Sequence, residues 1–424
     1  MGDILYELLK DIPIPKMVRV RQRFDGSRLD DPARALAEEL KKPGTVDRIR
    51  PGDSVAIAVG SRGIANIALL TKVTVDAIKQ AGGRPFIVPA MGSHGGATAE
   101  GQAEVLAHLG ITEETVGAPI RSSMEVVKLA ELDNGLPVYV DKFASEADAI
   151  VVINRVKPHT AFRGPVESGL LKMVAIGLGK QKGAEATHRL GFKYMAENIL
   201  NMSRAMMARL PIRFGVAVVE NAYDETCIVE AVPAEQFEER EPELLKEARR
   251  RLPKLLFDPI DVLVIDYIGK NISGDGMDPN VTGRYPTPYA SGGPQVTKMV
   301  VLDLTEETRG NANGVGTADF TTRRLVEKMD KAATFANGLT STVCAPTKIS
   351  TYLDNDKMAI QAAIKTCNIL DYTKCRLVRI RDTLHLGEIE ISVNLLDEAR
   401  RHPDVEVLSE PYEWVFDEEG NLPK

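Results

Sequence analysis

Three histidines and a lysine sit beside glycines in this chain, and together they have the makings of an active site. His94 lies in Met91-Gly92-Ser93-His94-Gly95-Gly96, and His159 ends Lys157-Pro158-His159. Lys172 ends Glu167-Ser168-Gly169-Leu170-Leu171-Lys172, and His188 follows the glycines of Gly177-Leu178-Gly179-Lys180. Imidazole titrates near neutral pH and ligates metals. A lysine amine is either a charge or a point of covalent attachment. Gly60-Ser61-Arg62-Gly63 closes an apolar run, and an arginine there suits a carboxylate or phosphate. His108 and His385 have no such setting, and His402 falls in a charged helix end.

The elements that must position these residues alternate. Apolar runs at 54–60, 84–89, 149–154 and 214–219 predict buried strands, and helical spacing predicts helices over 66–81 and 98–109, the second with Thr98 as N-cap. That is βα grammar with a mostly parallel sheet. His94 follows the second strand and His159 the third. Open α/β sheets bind ligands outside the carboxyl ends of their strands, so both can reach one ligand. Lys172 and His188 lie sixteen residues apart on no common helical face, and they meet only if the chain folds back. The segment Gly177–Gly183 is not a Walker A loop and has no strand before it. It reads as a flexible basic stretch near a phosphate.

A charged helix over 235–251, Pro253 and a new apolar strand at 262–265 put a domain boundary near residue 258. The expected fold is α/β with two domains, 1–258 and 259–424, each a mostly parallel sheet flanked by helices, with the active site in the cleft between them. In the second domain we expect strands at 299–304 and 376–380 and helices at 319–336 and 355–368. The Gly- and Pro-rich stretch 267–296 is long enough to be a ligand-facing loop closing over the site. Its polar groups are Lys270, Arg284, Gln295 and, just beyond it, Lys298.

A net charge of −7 with no Lys/Arg block argues against nucleic acid as a partner. The basic positions of Lys16–Arg23 alternate with apolar ones and read as one solvated strand face. No apolar run approaches the roughly 20 residues that span a bilayer, which predicts no membrane partner. The start, Met1-Gly2-Asp3-Ile4, has no signal-peptide pattern. Cys227, Cys344, Cys367 and Cys375 form no CxxC and read as reduced thiols of a cytoplasmic protein.

At these motifs the chain resembles the nickel-dependent lactate racemases, the nickel-pincer nucleotide enzymes. The residues that carry the resemblance are Arg62, Gly92-Ser93-His94, Pro158-His159, Ser168-Gly169-Leu170-Leu171-Lys172 and Thr187-His188. The resemblance implies a racemase or epimerase of a small-molecule 2-hydroxy acid. It implies Lys172 as the attachment point of a pyridinium-3-thioamide-5-thiocarboxylic acid mononucleotide, His188 as a ligand to its Ni2+, and Arg62, Ser61 and Gly169 as further cofactor contacts. His94 and His159 are then acid and base on the substrate hydroxyl, and Gln295 and Lys298 face the substrate. Cofactor-synthesis enzymes are implied partners, and a homo-oligomer is compatible. The chain departs from the family in having Val59 where an aspartate is usual, in the extra Arg163-Gly164-Pro165, and in its lone Trp414 lying near the end. Two other readings stand beside this one. One is a metal-dependent lyase using His94, His159 and His188 on zinc, and the other is a cofactor-binding protein without turnover.

Hydride chemistry suits these residue types. Removing the C2 hydrogen of a hydroxy acid as a proton would leave a dianion, and removing it as hydride while a base takes the hydroxyl proton avoids this. A base on each side serves the two enantiomers.

Overall fold

The computed structural model describes residues 3–61 and 63–423. The strands among them are, in chain order, β1 (Met17–Gln22), β2 (Ser54–Val59), β3 (Arg84–Pro89), β4 (Val126–Glu131), β5 (Pro137–Asp141), β6 (Ala149–Arg155), β7 (Ile212–Glu220) and β8 (Thr226–Pro233). They continue with β9 (Ile260–Ile268), β10 (Val296–Leu304), β11 (Phe320–Thr322), β12 (Thr351–Leu353), β13 (Leu377–Ile380), β14 (Glu388–Ser392) and β15 (Val405–Val407). The chain divides into two compact units, residues 25–252 and residues 253–424 with the first 24.

In the unit of residues 25–252 the sheet runs β3-β2-β6-β7-β8. The first four strands are parallel, and β8 returns antiparallel beside β7. Val55 to Val59 and Ala149 to Ile153 are fully buried. Unbroken apolar runs are what a parallel strand covered on both faces requires. The helix Ile67–Gln80 turns Leu70, Val75 and Ile78 into the cluster that holds Ile57 and Ile87. The helix Ala99–His108 starts where Thr98 accepts the Gly101 N–H at 3.0 Å, the cap expected from sequence. The charged helix Phe237–Arg251 buries Phe237, Leu244 and Leu245 and keeps its charges outward, except at Glu241.

In the other unit the order is β12-β11-β10-β9-β13-β14-β1-β15. The strands from β12 to β13 are parallel, and β14, β1 and β15 extend the sheet antiparallel. This corrects the expected 1–258 domain. Met17–Arg21 pairs with Ser392–Glu388, so the first 24 residues supply an interior strand of the C-terminal unit, and the division falls at 252/253. The signal for this was non-local, because alternation in Lys16–Arg23 shows a strand without showing its partner. Val18 and Val20 point inward, while Arg21 meets Glu388 and Glu406 outside. The expected helix over 319–336 is likewise divided. β11 takes its β-branched start, the helix Arg323–Lys328 follows, and Asp330 caps a second helix, Lys331–Ser341. Thr321 and Thr322 are fully buried in the sheet, and that packing overrides the helical spacing.

Met17, Val18 and Val20 are fully buried. Their burial is worth roughly 5 kcal/mol together, a large share of the about 5–15 kcal/mol that holds a domain folded. A chain beginning at residue 25 should therefore lose the cooperative melting transition of the C-terminal unit in calorimetry and keep that of residues 25–252. Two unchanged transitions would show that β1 is dispensable.

Candidate active site

The loops carrying Ser61, His94 and His159 leave the carboxyl ends of β2, β3 and β6, three adjacent strands. Neighbouring strands lie about 4.8 Å apart, so the three loops begin within about 10 Å of each other. Ser61 Oγ hydrogen-bonds His94 Nδ1 and joins two of them. Arg62, expected at the same edge, lies outside the described residues.

The His94 loop is a tight turn. His94 N–H donates to the Met91 carbonyl at 3.2 Å, and the exposed imidazole follows. Gly95 has φ of +66°, and a Cβ there would come within 2.6 Å of the Gly101 backbone, so only glycine fits. Behind the turn, the fully buried Gln102 donates from Nε2 to the Gly92 carbonyl at 2.9 Å and the His94 carbonyl at 3.2 Å.

The His159 loop is closed at its base by Lys157 and Ser168, whose backbones exchange hydrogen bonds at 2.9 and 3.2 Å. Inside it the fully buried Glu167 accepts His159 N–H at 2.6 Å and Gly164 N–H at 3.2 Å, and it pairs with Arg249. Arg163 donates to the His159 carbonyl at 2.6 Å and staples the loop. His159 Nδ1 accepts Ala161 N–H at 3.1 Å. In the neutral ring the proton therefore sits on Nε2. The ring packs on Phe162 with centroids 4.4 Å apart.

Lys172 and His188 are brought together by a reversal of the chain. The helical turn Leu170–Lys172 runs into a π-turn, Met173–Gly177; such turns are frequent at functional sites. Lys180 then adopts φ of +55° and starts the helix Lys180–His188 in a new direction. Asn154, at the end of β6, donates to the Gly169 carbonyl at 2.7 Å and ties this segment to the same sheet edge. His188 Nδ1 meets the Ala184 carbonyl at 2.7 Å, so Nδ1 carries the proton and Nε2 the lone pair. Burial pushes this imidazole below its ordinary pKa, and the Lys172 ammonium pushes the same way. Phe192 stands between two of the histidines, with centroids 5.5 Å from His188 and 6.2 Å from His159.

The edge thus gathers Ser61, His94, His159, Lys172 and His188, and residues 12–199 match the family described as lactate racemase N-terminal domain. That match covers the first part of the chain, which is similar to the N-terminal domain of lactate racemases. The lactate racemase apoprotein of Thermoanaerobacterium thermosaccharolyticum shares its fold, with a TM-score of 0.54 at 12% identity over 87% of this chain and 98% of that one. A Thermotoga maritima protein solved as a structural genomics target has a TM-score of 0.51 at 16% identity over 76% of this chain and 84% of its own. Comparison with curated proteins finds no match.

Other expected positions have different surroundings. Lys180, read as part of a basic phosphate segment, is fully buried and cannot serve one. Gly169 makes room: a Cβ there would overlap the Glu241 carboxyl. Gln295 is exposed at the amino end of β10, its N–H on Asp258, and Lys298 pairs with Asp319 at 3.5 Å. Arg284 shares Asp319 at 3.0 Å, and Lys270 donates to the Gly274 carbonyl and Asn337. Tyr285, Gly292, Gln295 and Thr297 line a depression of about 540 Å³ in the C-terminal unit. His385, which sequence passed over, is held by Asp382 at 2.8 Å. Among the described residues no helix is long and apolar enough to cross a membrane.

Glu241, which no motif pointed to, braces the Lys172 segment from below. It accepts Leu171 N–H at 2.9 Å, and among the described residues its other oxygen has no hydrogen-bond partner. Burial pushes this carboxyl up to about 7. Raised above the unfolded value near 4.5, it contributes stability fully present below pH 4.5 and lost as pH rises through 7, about 3 kcal/mol in all. Glu241→Gln, which mimics the protonated acid, should match wild type in denaturant melts at pH 4.5 and exceed it by a few kcal/mol at pH 8. A difference that does not change with pH would show that Glu241 does not titrate in this range.

Proposed function

We propose that this chain is a racemase or epimerase of a 2-hydroxy acid working through a lysine-bound nickel-pincer nucleotide. The observation that carries the reading is the gathering of His94, His159, Lys172 and His188 at one carboxyl edge. The donor chemistry fits the group. Lys172 offers an amine for the thioamide link. His188 offers a neutral imidazole whose lone pair is on Nε2, the form a nickel ion takes, and nickel suits imidazole with sulfur. When bound, the group supplies an electron-poor pyridinium carbon that accepts and returns hydride. Arg62, Ser61 and Gly169 are its proposed further contacts, with Gln295 and Lys298 on the substrate side.

The histidines do the proton work, and their hydrogen bonds make them unequal. Neutral His159 presents Nε2–H and orients the hydroxyl oxygen by donating a hydrogen bond to it; to act as base it must first hold its proton on Nδ1, giving up the Ala161 bond. His94 pairs through Nδ1 with a serine that can donate or accept. It can therefore switch tautomer and take the hydroxyl proton. Glu167 and Arg163 hold His159 by its backbone, while Ala161 and Phe162 hold the ring. A lyase with zinc on three histidines is not favoured, because among the described residues no three His, Cys, Asp or Glu are grouped to hold a metal ion.

Protein co-expressed with cofactor-making enzymes should carry a covalent mass on Lys172 by peptide mapping and racemise a 2-hydroxy acid. An adduct on Lys180 or Lys182, or none with activity present, would refute the assignment. His188→Ala should keep the adduct and lose most of the nickel by elemental analysis. His94→Ala and His159→Ala should each lose about 10²–10⁴ in racemisation rate. In single turnovers each should fail with the opposite enantiomer. Near-wild-type single turnovers in both variants would remove the histidines from the mechanism.

A further inference from the structure

Lys180 is fully buried, yet it is surrounded by acceptors. Its ammonium donates to the Pro89 carbonyl at the end of β3 and to Gln102 Oε1 at 2.9 Å. It also faces Asp141 Oδ2, at the end of β5, at 3.2 Å, off the line of a hydrogen bond. Two hydrogen-bond acceptors and one facing carboxylate thus hold the ammonium. Asp141 is itself held, accepting Ala144 N–H at 2.9 Å and donating its own N–H to the Leu178 carbonyl at 2.6 Å.

A side-chain amide has two ends, and what lies at one end decides the other. With Lys180 at Oε1, Gln102 must turn Nε2 toward the Gly92 and His94 carbonyls, and it does, at 2.9 and 3.2 Å. Without the ammonium, Oε1 is a buried acceptor left without its donor, a costly state that the amide relieves only by moving. The amide would then shift toward another donor and loosen its hold on the Gly92 and His94 carbonyls. We propose that Lys180 is a positioning residue for His94, acting through the orientation of the Gln102 amide. The same residue, in the left-handed conformation, reverses the chain between Lys172 and His188. One side chain thus sets His94 while its backbone directs the His188 helix.

Burial drives Lys180 and Asp141 each toward its neutral form, and each opposes the shift of the other. Removing one charge alone strands its partner, which lowers stability for reasons unrelated to His94. Removing both together separates the two effects. The effect on turnover rests on the proposed acid–base role of His94, whereas the effect on the imidazole does not.

The test uses the full chain with 13C-labelled histidine, the His94 signal being assigned by its loss in His94→Gln. Lys180→Met should lower the melting temperature and shift or broaden the His94 imidazole signal. Lys180→Met/Asp141→Asn should recover most of the melting temperature and keep the altered His94 signal. Gln102→Leu, which leaves the Lys180–Asp141 pair in place, should show the same His94 change with the His159 signal unmoved. In cofactor-loaded protein the double variant should lose about 10- to 100-fold in kcat with KM nearly unchanged, as expected of a misplaced group. If the double variant regains a wild-type His94 signal, or Gln102→Leu leaves that signal unchanged, the positioning role is overturned. An altered signal in a chain with no racemase activity would uphold the positioning role and count against the function instead.

Discussion

Parallel pairing of β3, β2 and β6 is the constraint on which the candidate site depends. It places three strand ends side by side, and each end releases a loop with one chemical group. Runs such as Val55–Val59 are buried on both faces, so this part of the sheet is covered on either side. The loops take their positions from these strand ends and from buried residues of their own, Phe162 and Val166 in the His159 loop.

What holds the loops in place is a second layer of buried polar groups. Glu167 collects the backbone N–H groups of the His159 loop, Gln102 the carbonyls of the His94 turn, and Glu241 the N–H of the Lys172 segment. Each is fully buried or nearly so and each bonds backbone, which makes geometry independent of the side chains that face a ligand. A buried carboxyl or amide left without its backbone partner is costly, so these contacts are strongly specified. This is how a site is kept in place while its imidazoles remain accessible.

Much of this was legible beforehand. Strands at 54–59 and 84–89, the Thr98 cap and the placement of His94 and His159 at strand ends follow from apolar runs and capping chemistry, which are local. Lys180 was misread because a lysine among glycines looks solvated in sequence, and only its partners, 39 to 91 residues away, show it to be interior. Gln102 and Glu241 carry no motif at all. They look like ordinary helix-surface residues until the helix face that bears them is known.

The amino-acid sequence by itself determined the α/β grammar, the family resemblance and the residue types able to do the chemistry, because periodicity, caps and short motifs are properties of neighbouring residues. The tertiary structure decided three other things. It moved the first 24 residues into the C-terminal sheet, folded Lys172 back toward His188, and buried Lys180 of the basic glycine-rich segment among acceptors. Each depends on contacts between residues far apart in the chain, and their free energy exists only when the intervening chain has folded.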